Sequence, residues 1–337
     1  MLLETYLRVT TQKRVNTSQT TIKRLKSKLI TMKLEHLVKE ALETDSKEYM
    51  NLIQKTIDLL RKEANYEDKI EFEGKLAKVK PKGEMIAVGD LHGDIESLVH
   101  ILKEIDFIKK ASENEDFLLV FLGDYGDRGM FSAEVYYVVL KLKLMFPDKI
   151  LLMRGNHEGP RDLPVYPHDL PVQFQARFGE SGNEAYRITT EIFDYLLNAV
   201  FVEDRYLLVH GGLPEKASSL KDFAYAHEMH PKETFLEEIL WSDPYEGEGI
   251  YPSPRGAGKL FGWNITKKIL DALNVQILIR GHEPCEEGFK INHFGKVLTL
   301  FSRRGPPYFN SYAAYLHVDL SEKFEVAGQL SRFIRQF

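Results

Sequence analysis

The sequence predicts an α/β domain in which buried strands alternate with helices. Six near-continuous apolar runs are typical of strands that are covered on both faces. They span residues 85–88, 117–122, 150–153, 206–209, 275–279 and 297–301. Helical spacing of apolar residues between several of these runs supports the same fold class. In such folds ligands bind beyond the carboxyl ends of the strands, so a functional site is expected there.

Four segments have the apolar spacing or capping signals of helices. They span residues 47–64, 95–105, 132–145 and 191–200. Ser132 is a suitable N-cap for the third of them. The charged stretch 65–84 is interpreted as a link between the first helix and the first strand. Residues 242–262 are rich in Pro and Gly, which indicates a long functional loop.

Composition narrows the class of protein. The 337 residues are 43% hydrophobic and 28% charged, which is ordinary for a soluble globular protein. A formal net charge of −5 argues against a protein that binds nucleic acid mainly by electrostatics. Cys285 is the single cysteine, so no internal disulfide can form, and this fits a cytoplasmic location. No apolar stretch reaches about 18 residues, so a membrane span is not expected.

Residues 1–45 are predicted to be a basic, flexible N-terminal extension that precedes a catalytic domain over residues 46–337. Within residues 1–33, eight Lys or Arg residues stand against one acid, Glu4. A secretory signal needs an apolar core after its basic start, and none is present. An organellar transit peptide, which is also basic and rich in hydroxyl groups, is one alternative interpretation. A misplaced translation start upstream of Met32, which opens a plausible helix, is another.

Five short polar clusters lie where apolar runs end, and together they predict a centre for two metal ions. Their sequences are GDLHG at 89–93, GDYGDRG at 123–129, RGNHE at 154–158, HGG at 210–212 and RGHE at 280–283. Glycine in each lets the backbone approach an ion or a phosphate. Asp, Asn and His suit Mn, Fe, Zn or Mg. A single cluster would be explained as a turn or a helix cap, but five at strand ends point to one site.

The spacing of the acidic residues indicates how the two ions are shared. Asp90 and His92 are two residues apart, so in an extended segment they point to the same side and one ion can bind both. Asp124 has two carboxylate oxygens and can bridge two ions, which typically lie about 3.5–4 Å apart.

The third cluster separates a ligand from an acid. Asn156 and His157 are adjacent, so in extended backbone they point to opposite sides and only one is expected to be a ligand. Asn156 is the natural ligand, which leaves His157 to act as an acid. His210 and His282 then complete the second ion.

These clusters closely resemble the signature of the phosphoprotein phosphatase family of metal-dependent serine/threonine protein phosphatases, within the calcineurin-like metallophosphoesterase superfamily. The family pattern is GDxHG, GDxxDRG and GNHE with later histidines, and here it reads GDLHGD, GDYGDRG, RGNHEGPRD, HGGLP and RGHEP. WSDP at 241–244 and RGAG at 255–258 are also similar. The resemblance runs from about residue 50 to about residue 320. It implies two packed central β-sheets flanked by helices, with a dinuclear metal site at the carboxyl ends of strands.

The resemblance also implies a ligand set and a reaction. The first metal would be held by Asp90, His92 and Asp124, and the second by Asp124, Asn156, His210 and His282. A hydroxide held by both ions would attack phosphorus directly, without a phosphoenzyme. Mn²⁺ is the expected metal, and Fe/Zn pairs accept the same ligands.

Further roles follow from the same resemblance. His157 would protonate the leaving oxygen of serine or threonine, and Asp127 would orient His157. The phosphate oxygens would be bound by Arg128, Arg255, Asn156 and Tyr308. An arginine fork matches a phosphate in both geometry and charge.

The chain departs from the family pattern in two places. Gly126 replaces a residue that is commonly Val, and a looser turn is expected. The C-terminal loop reads SRRGPPY at 302–308 where the family has SAPNYCG, and Tyr308 is expected to stand in for the family tyrosine. Arg303 and Arg304 are expected to add positive charge beside the substrate groove.

Several other residues are interpreted as structural. Seven histidines outside the clusters are taken as ordinary surface or core residues: His36, His100, His168, His227, His230, His293 and His317. Cys285 is interpreted as inert. Trp241 and Trp263 are interpreted as packing residues.

The predicted function is hydrolysis of phosphoserine and phosphothreonine in proteins. Phosphorylated proteins are the expected partners, a regulatory subunit is compatible with the pattern, and neither nucleic acid nor membrane is expected. The alternative is hydrolysis of a diadenosine polyphosphate or another nucleotide by the same dinuclear site. A non-catalytic scaffold on the same fold is a weaker alternative, because every motif position for metal and acid is present.

Overall fold

Three β-sheets organise the part of the chain that this computed structural model describes, residues 34–63, 66 and 69–337. The strands are β1 Ile70–Glu73, β2 Leu76–Val79, β3 Glu84–Val88, β4 Phe117–Phe121, β5 Ile150–Leu152, β6 Ala199–Val202, β7 Tyr206–Val209, β8 Asp243–Pro244, β9 Ile250–Pro252, β10 Lys259–Phe261, β11 Ile277–Arg280, β12 Phe289–Asn292, β13 Val297–Leu300, β14 Ala314–Asp319 and β15 Ile334–Gln336. All six predicted strands are present.

Helices cover the outer faces of the two large sheets. They are α1 Leu34–Glu43, α2 Ser46–Arg61, α3 Ile95–Glu104, α4 Phe107–Glu113, α5 Ser132–Met145, α6 Leu170–Phe178, α7 Gly182–Ile192, α8 Leu220–Ala224, α9 Ala226–Met229, α10 Phe235–Trp241 and α11 Trp263–Leu273. Asp45 and Asp94 start α2 and α3, because each side chain accepts a hydrogen bond from a backbone N–H of the first turn. None of the helices in the described part of the chain is both long and apolar enough to cross a membrane.

The two large sheets pack face to face. One has the strand order β15-β14-β3-β4-β5, with β3, β4 and β5 parallel, and the other has the order β1-β2-β6-β7-β11-β13-β12. Side chains of β3 alternate between two cores: Met85 and Ala87 face the second sheet, whereas Ile86 and Val88 face α3 and α5. Both faces are therefore apolar, which explains the unbroken apolar run. The predicted α/β fold with two central sheets is confirmed.

The ends of the two sheets meet at the predicted site. Asp90, just after β3, forms a parallel bridge with Phe301, just after β13. The hydroxyl of Ser302 accepts from the backbone N–H of Gly89 at 2.7 Å and donates to the carbonyl of Ala314 at 2.7 Å. The turn that carries the first polar cluster is therefore tied to the segment that follows β13 of the other large sheet.

Two local predictions are wrong. Residues 191–200 are not one helix, because α7 ends at Ile192, a 3₁₀ turn spans Phe193–Tyr195 and β6 begins at Ala199. The strand is buried on both faces between β2 and β7, and this pairing outweighs the local helical pattern. Residues 242–262 are not only a loop, since β8, β9 and β10 form a small third sheet there.

The N-terminal boundary also differs from the expectation. Helix α1 lies within the segment 1–45 that was interpreted as a flexible extension. Its apolar residues Leu34, Leu37 and Ala41 are buried in the same core as α5, so α1 is part of the folded domain. The charged stretch 65–84 contains the hairpin of β1 and β2. The prediction for residues 1–33 concerns residues outside the described part.

Candidate metal centre

The six predicted ligands lie together in one buried site. They follow β3 (Asp90, His92), β4 (Asp124), β5 (Asn156), β7 (His210) and β11 (His282). Positive φ angles of 43°, 55° and 74° occur at His92, Asp124 and His282. Such angles are uncommon for residues with a Cβ and concentrate at functional sites. These three residues lie in the turns that follow β3, β4 and β11.

Each of the three histidine ligands is oriented by a backbone carbonyl. The accepting carbonyls belong to Gly126 for His92 (3.1 Å from Nδ1), Leu122 for His210 (2.9 Å from Nδ1) and Trp241 for His282 (3.2 Å from Nε2). A carbonyl only accepts, so that ring nitrogen carries the hydrogen and the other one points inward with a lone pair. Burial lowers the pKa of all three rings well below the usual value, so they remain neutral, as metal binding through the second nitrogen requires.

The lone pairs of His210 and His282 point at the same amide. Asn156 Oδ1 lies 3.0 Å from His210 Nε2 and 3.1 Å from His282 Nδ1. Asp124 Oδ1 lies 3.5 Å from His210 Nε2. Three acceptors this close need either a cation or the amide nitrogen of Asn156 turned toward them. The donor set fits a metal ion, and it is the set predicted for the second one.

The other oxygen of Asp124 faces a second group of acceptors. His92 Nε2 lies 3.4 Å from Asp124 Oδ2 and 3.7 Å from Asp90 Oδ2. Asp90 Oδ2 is buried and has no hydrogen-bond partner. Burial raises the pKa of Asp90 to about 7, and burial with the nearby charge of Asp90 raises the pKa of Asp124 well above its usual value. A carboxylate oxygen of Asp90 without a partner, close to His92 Nε2 and beside Asp124 Oδ2, also fits a cation, and Asp124 faces both groups.

The predicted acid and its partner form a buried pair. His157 Nδ1 lies 2.9 Å from Asp127 Oδ2, and the backbone N–H of His157 donates to Asp124 Oδ1 at 3.0 Å. A ring nitrogen of His157 lies within 4.8 Å of ligand atoms of both His92 and Asp124, so His157 faces the same pocket. Burial alone would raise the pKa of Asp127, but hydrogen bonds with two histidines hold that pKa well below its usual value. Asp127 is therefore ionised.

The predicted phosphate ligands line the same pocket, a cavity of about 290 Å³. Arg255 Nε donates to Asp243 Oδ2 at 2.5 Å, which fixes its guanidinium. Arg128 Nη2 donates to the carbonyl of Tyr166 at 3.2 Å, and its Nε is buried without a partner. The ring of Tyr308 stacks on His92 with centroids 5.5 Å apart. These side chains are placed to meet an anion beside the metal ligands.

Glu158 holds the turns after β4 and β5 together. Its Oε2 accepts from the backbone N–H groups of Asp124 at 2.8 Å and Gly155 at 3.1 Å. Its Oε1 accepts from Tyr125 N at 3.1 Å and the Tyr136 hydroxyl at 2.6 Å. A Cβ at Gly155 would lie 2.1 Å from Asp124 Oδ1, so only glycine fits this close approach. The acidic end of the third cluster is thus a structural support.

Arg303 does not face the substrate groove, contrary to the expectation. It is buried, donates to the carbonyl of His92 at 3.0 Å and to that of Pro306, and lies over the Tyr308 ring at 5.2 Å. Arg304 is exposed and lies over the ring of Phe337. Arg303 therefore holds the C-terminal loop and the backbone of a predicted metal ligand, a role that the motif gave no sign of.

His168 was missed as a site residue. Its Nδ1 lies 2.7 Å from Asp127 Oδ2, although it was interpreted as an ordinary histidine. It lies outside every cluster, so no sequence signal singled it out. Trp241, interpreted as a packing residue, also lines the pocket, and its carbonyl orients His282.

The space beside Gly126 is filled, so the valine that is common in the family does not fit this turn. A Cβ at Gly126 would lie 2.7 Å from Tyr136 Cε2 and 3.1 Å from Leu170 Cδ1. Gly126→Val is therefore expected to lower the free energy of unfolding by about 1–3 kcal/mol through overpacking. Urea denaturation measures this. Gly328→Val, where nothing lies within 4 Å, is the control, and equal stability of the two variants would contradict the packing argument.

After metal removal, the stability of the folded protein is expected to depend on pH. The raised pKa of Asp90, about 7 against an ordinary value of about 3.9, means that the folded metal-free state binds a proton more tightly than the unfolded state. This stabilisation is complete below about pH 4 and is lost as the pH rises through 7, by about 2–4 kcal/mol. Thermal unfolding of chelator-treated protein between pH 5 and 8 measures it.

The control for that measurement is Asp90→Asn, which should show a shallower decline with pH. Added Mn²⁺ should restore stability at pH 8 in the parent protein, since a bound cation favours the carboxylate. Identical pH dependence in the parent and in Asp90→Asn would contradict the assignment to Asp90.

Comparison with protein-family models finds one match in this chain. Residues 85–286 match the family described as calcineurin-like phosphoesterase. The matched range contains all five polar clusters and both arginines of the pocket.

Curated relatives match over about two thirds of the chain. A probable serine/threonine-protein phosphatase of Encephalitozoon cuniculi is 34% identical over 68% of this chain and 48% of its own length. The serine/threonine-protein phosphatase 4 catalytic subunit of Kluyveromyces lactis is 34% identical over 68% of this chain and 73% of its own. A protein phosphatase 2A catalytic subunit from Dictyostelium discoideum is 34% identical over 71% of this chain and 74% of its own. The aligned part is thus about half of the Encephalitozoon protein.

Among solved structures, a serine/threonine phosphatase of Saccharomyces cerevisiae with similarity to human phosphatase PP5 has a TM-score of 0.74. The match covers 91% of this chain and 96% of that one at 24% identity. A cold-active protein tyrosine phosphatase has a TM-score of 0.53 over 72% of this chain and 75% of its own at 22% identity. At these identities the likeness concerns the fold.

Proposed function

Because this chain belongs to the calcineurin-like phosphoesterase family, we propose that it is a metal-dependent phosphatase that hydrolyses phosphoserine and phosphothreonine in proteins. The observation that carries the proposal is the pairing of two acceptor groups around Asp124 with the buried acid pair beside them. The names of its relatives, serine/threonine phosphatases, support the substrate class.

The residues of the pocket have three proposed roles: they bind metal, bind phosphate or donate a proton. Metal ions would be held by Asp90, His92, Asp124, Asn156, His210 and His282. When bound, two divalent ions supply an acidified water and neutralise charge on the phosphate. Arg128 and Arg255 bind the phosphate oxygens, and Tyr308 and the Asn156 amide complete the pocket around them. A phosphate bound in this way is presented beside His157.

His157 holds the proton for the leaving oxygen. Its Nδ1 hydrogen is committed to Asp127, so Nε2 is the nitrogen that can donate to substrate. The ionised Asp127 stabilises the protonated ring without taking the proton itself. A serine or threonine alkoxide is a poor leaving group, so the leaving oxygen must be protonated during the reaction.

The test is a substrate panel with protein reconstituted in Mn²⁺. Phosphoserine and phosphothreonine peptides should be hydrolysed in preference to a phosphotyrosine peptide and to a diadenosine polyphosphate. Tyr166, 94% exposed at the mouth of the pocket, offers a ring on which a base can stack, which favours the nucleotide alternative. Faster turnover of the dinucleotide than of either peptide would replace the protein substrate by a nucleotide.

The finer assignments belong to the same proposal. Mn²⁺ is the proposed activating metal, and an Fe/Zn pair uses the same ligands. Metal analysis of purified protein distinguishes these, and an absence of bound metal would support a scaffold instead. A cytoplasmic location fits the single cysteine. A regulatory subunit is proposed from the relatives whose names describe catalytic subunits.

A further inference from the structure

A second histidine contacts the carboxylate that orients the acid. His168 Nδ1 lies 2.7 Å from Asp127 Oδ2, the oxygen that also lies 2.9 Å from His157 Nδ1. The other oxygen accepts from the backbone N–H groups of Asp169 at 2.7 Å and Arg128 at 3.0 Å. Asp127 is fully buried, so its orientation is decided by these protein contacts alone.

The donors on Asp127 can be assigned. An ionised carboxylate only accepts, so both Nδ1 atoms carry a hydrogen and donate to it. His168 Nε2 lies 3.0 Å from the hydroxyl of Tyr186. That hydroxyl can donate to the ring, so a neutral His168 satisfies both contacts. The donation from His168 to Asp127 therefore requires no charge on His168.

Two donors on one oxygen restrict the carboxylate. With His157 as the sole partner of Oδ2, only the two backbone N–H groups on Oδ1 would resist a tilt of the carboxylate that carries the His157 ring with it. The adjacent residues His168 and Asp169 each bind one oxygen, since the His168 ring binds Oδ2 and the backbone N–H of Asp169 binds Oδ1. An outer partner of this kind fixes the ring whose hydrogen bond it supports.

We propose that His168 is a positioning residue that holds Asp127, and through it the His157 ring, in the orientation needed to protonate the leaving oxygen. The inference rests on the proposed function for the acid role of His157. An acid must lie about 2.6–3.2 Å from the oxygen that it protonates, and a misplacement of about 1 Å lowers the rate by up to about 10²-fold. Loss of the donor should matter most where the leaving group needs a proton.

The experiment compares two variants at one position. His168→Phe keeps a ring of similar shape and removes the donor, whereas His168→Asn keeps an N–H near the place of Nδ1. For a phosphoserine peptide, kcat of the Phe variant is expected to fall by about 10–100-fold with little change in KM. For 4-nitrophenyl phosphate, whose leaving group needs no proton, the fall should be less than about threefold. The Asn variant should recover most of the peptide activity.

Controls separate positioning from folding. Tyr186→Phe leaves the Nδ1 hydrogen of His168 in place and should retain the parent kcat on both substrates. Thermal unfolding and bound metal per chain should match the parent in all variants. If the Phe variant does not fold, His168→Ala is the second loss variant, for which added imidazole should restore peptide turnover. Equal losses on the two substrates, or no loss on the peptide, would overturn the proposal.

Failure of the proposed function gives a different result. If the parent enzyme hydrolyses aryl phosphates but no phosphopeptide, the protein substrate is wrong. The role of His168 is then read from a series of phosphate esters with increasingly poor leaving groups. A rate ratio between parent and His168→Phe that grows along the series supports positioning, and a constant ratio overturns it.

Discussion

Asp124→Asn is expected to lower kcat on a phosphoserine peptide by about 10³-fold or more, because both proposed metal sites lose their shared anionic ligand. The two oxygens of Asp124 face separate groups of acceptors, 3.5 Å from His210 Nε2 on one side and 3.4 Å from His92 Nε2 on the other. An amide of the same size provides one neutral oxygen. Bound metal should therefore fall from about two ions per chain to one or fewer, as measured on dialysed protein.

Stability gives an independent measurement of the same variant. Burial and the charge of Asp90 raise the pKa of Asp124, so the metal-free carboxylate is destabilising near pH 8. Metal-free Asp124→Asn should then be at least as stable as the metal-free parent at that pH. Asp162→Asn, an exposed acid paired with His230, is the control and should change neither metal content nor kcat. Two bound ions in an active Asp124→Asn protein would refute the bridging role.

His157→Asn is expected to lower kcat on a phosphoserine peptide by about 10²–10⁴-fold with a small change in KM, since a leaving-group acid acts in the transition state. Asparagine keeps the backbone N–H that donates to Asp124 and cannot supply the proton. The loss on 4-nitrophenyl phosphate should be much smaller. Both constants are measured with both substrates at saturating Mn²⁺.

His100→Asn is the matched control for that variant, because His100 is an exposed histidine on α3 paired with Glu104. It should behave as the parent protein on both substrates. A loss in the His157 variant that is equal for peptide and aryl phosphate would assign His157 to metal or phosphate binding. It would then not be the leaving-group acid.

The ligands could be predicted because their requirements are local. A metal ligand at a strand end needs a particular side chain and a glycine beside it, and both are visible in a few residues such as GDLHG. Strands β3, β4 and β7 were predictable for a similar reason, since burial on both faces makes their sequences continuously apolar.

The missed features depend on contacts between distant parts of the chain. Strand β6 is a strand because β2 and β7 flank it, which residues 191–200 do not reveal. Arg303 binds the carbonyl of His92, 211 positions away, and His168 binds Asp127, 41 positions away. Nothing in the local sequence of either residue specifies such a partner. The packing at Gly126 was not predictable for the same reason, because Tyr136 occupies the space that a valine would need.

The two large sheets contribute different halves of the metal centre. Asp124 and Asn156 extend from the sheet that contains β4 and β5, whereas His210 and His282 extend from the one that contains β7 and β11. The affinity for metal ions therefore depends on the relative position of the two sheets. A large-to-small substitution in the core between the sheets, far from any predicted ligand, should lower the affinity for metal ions before it unfolds the protein. Measuring the metal content of such core variants would show which packing contacts set the distances between the predicted ligands.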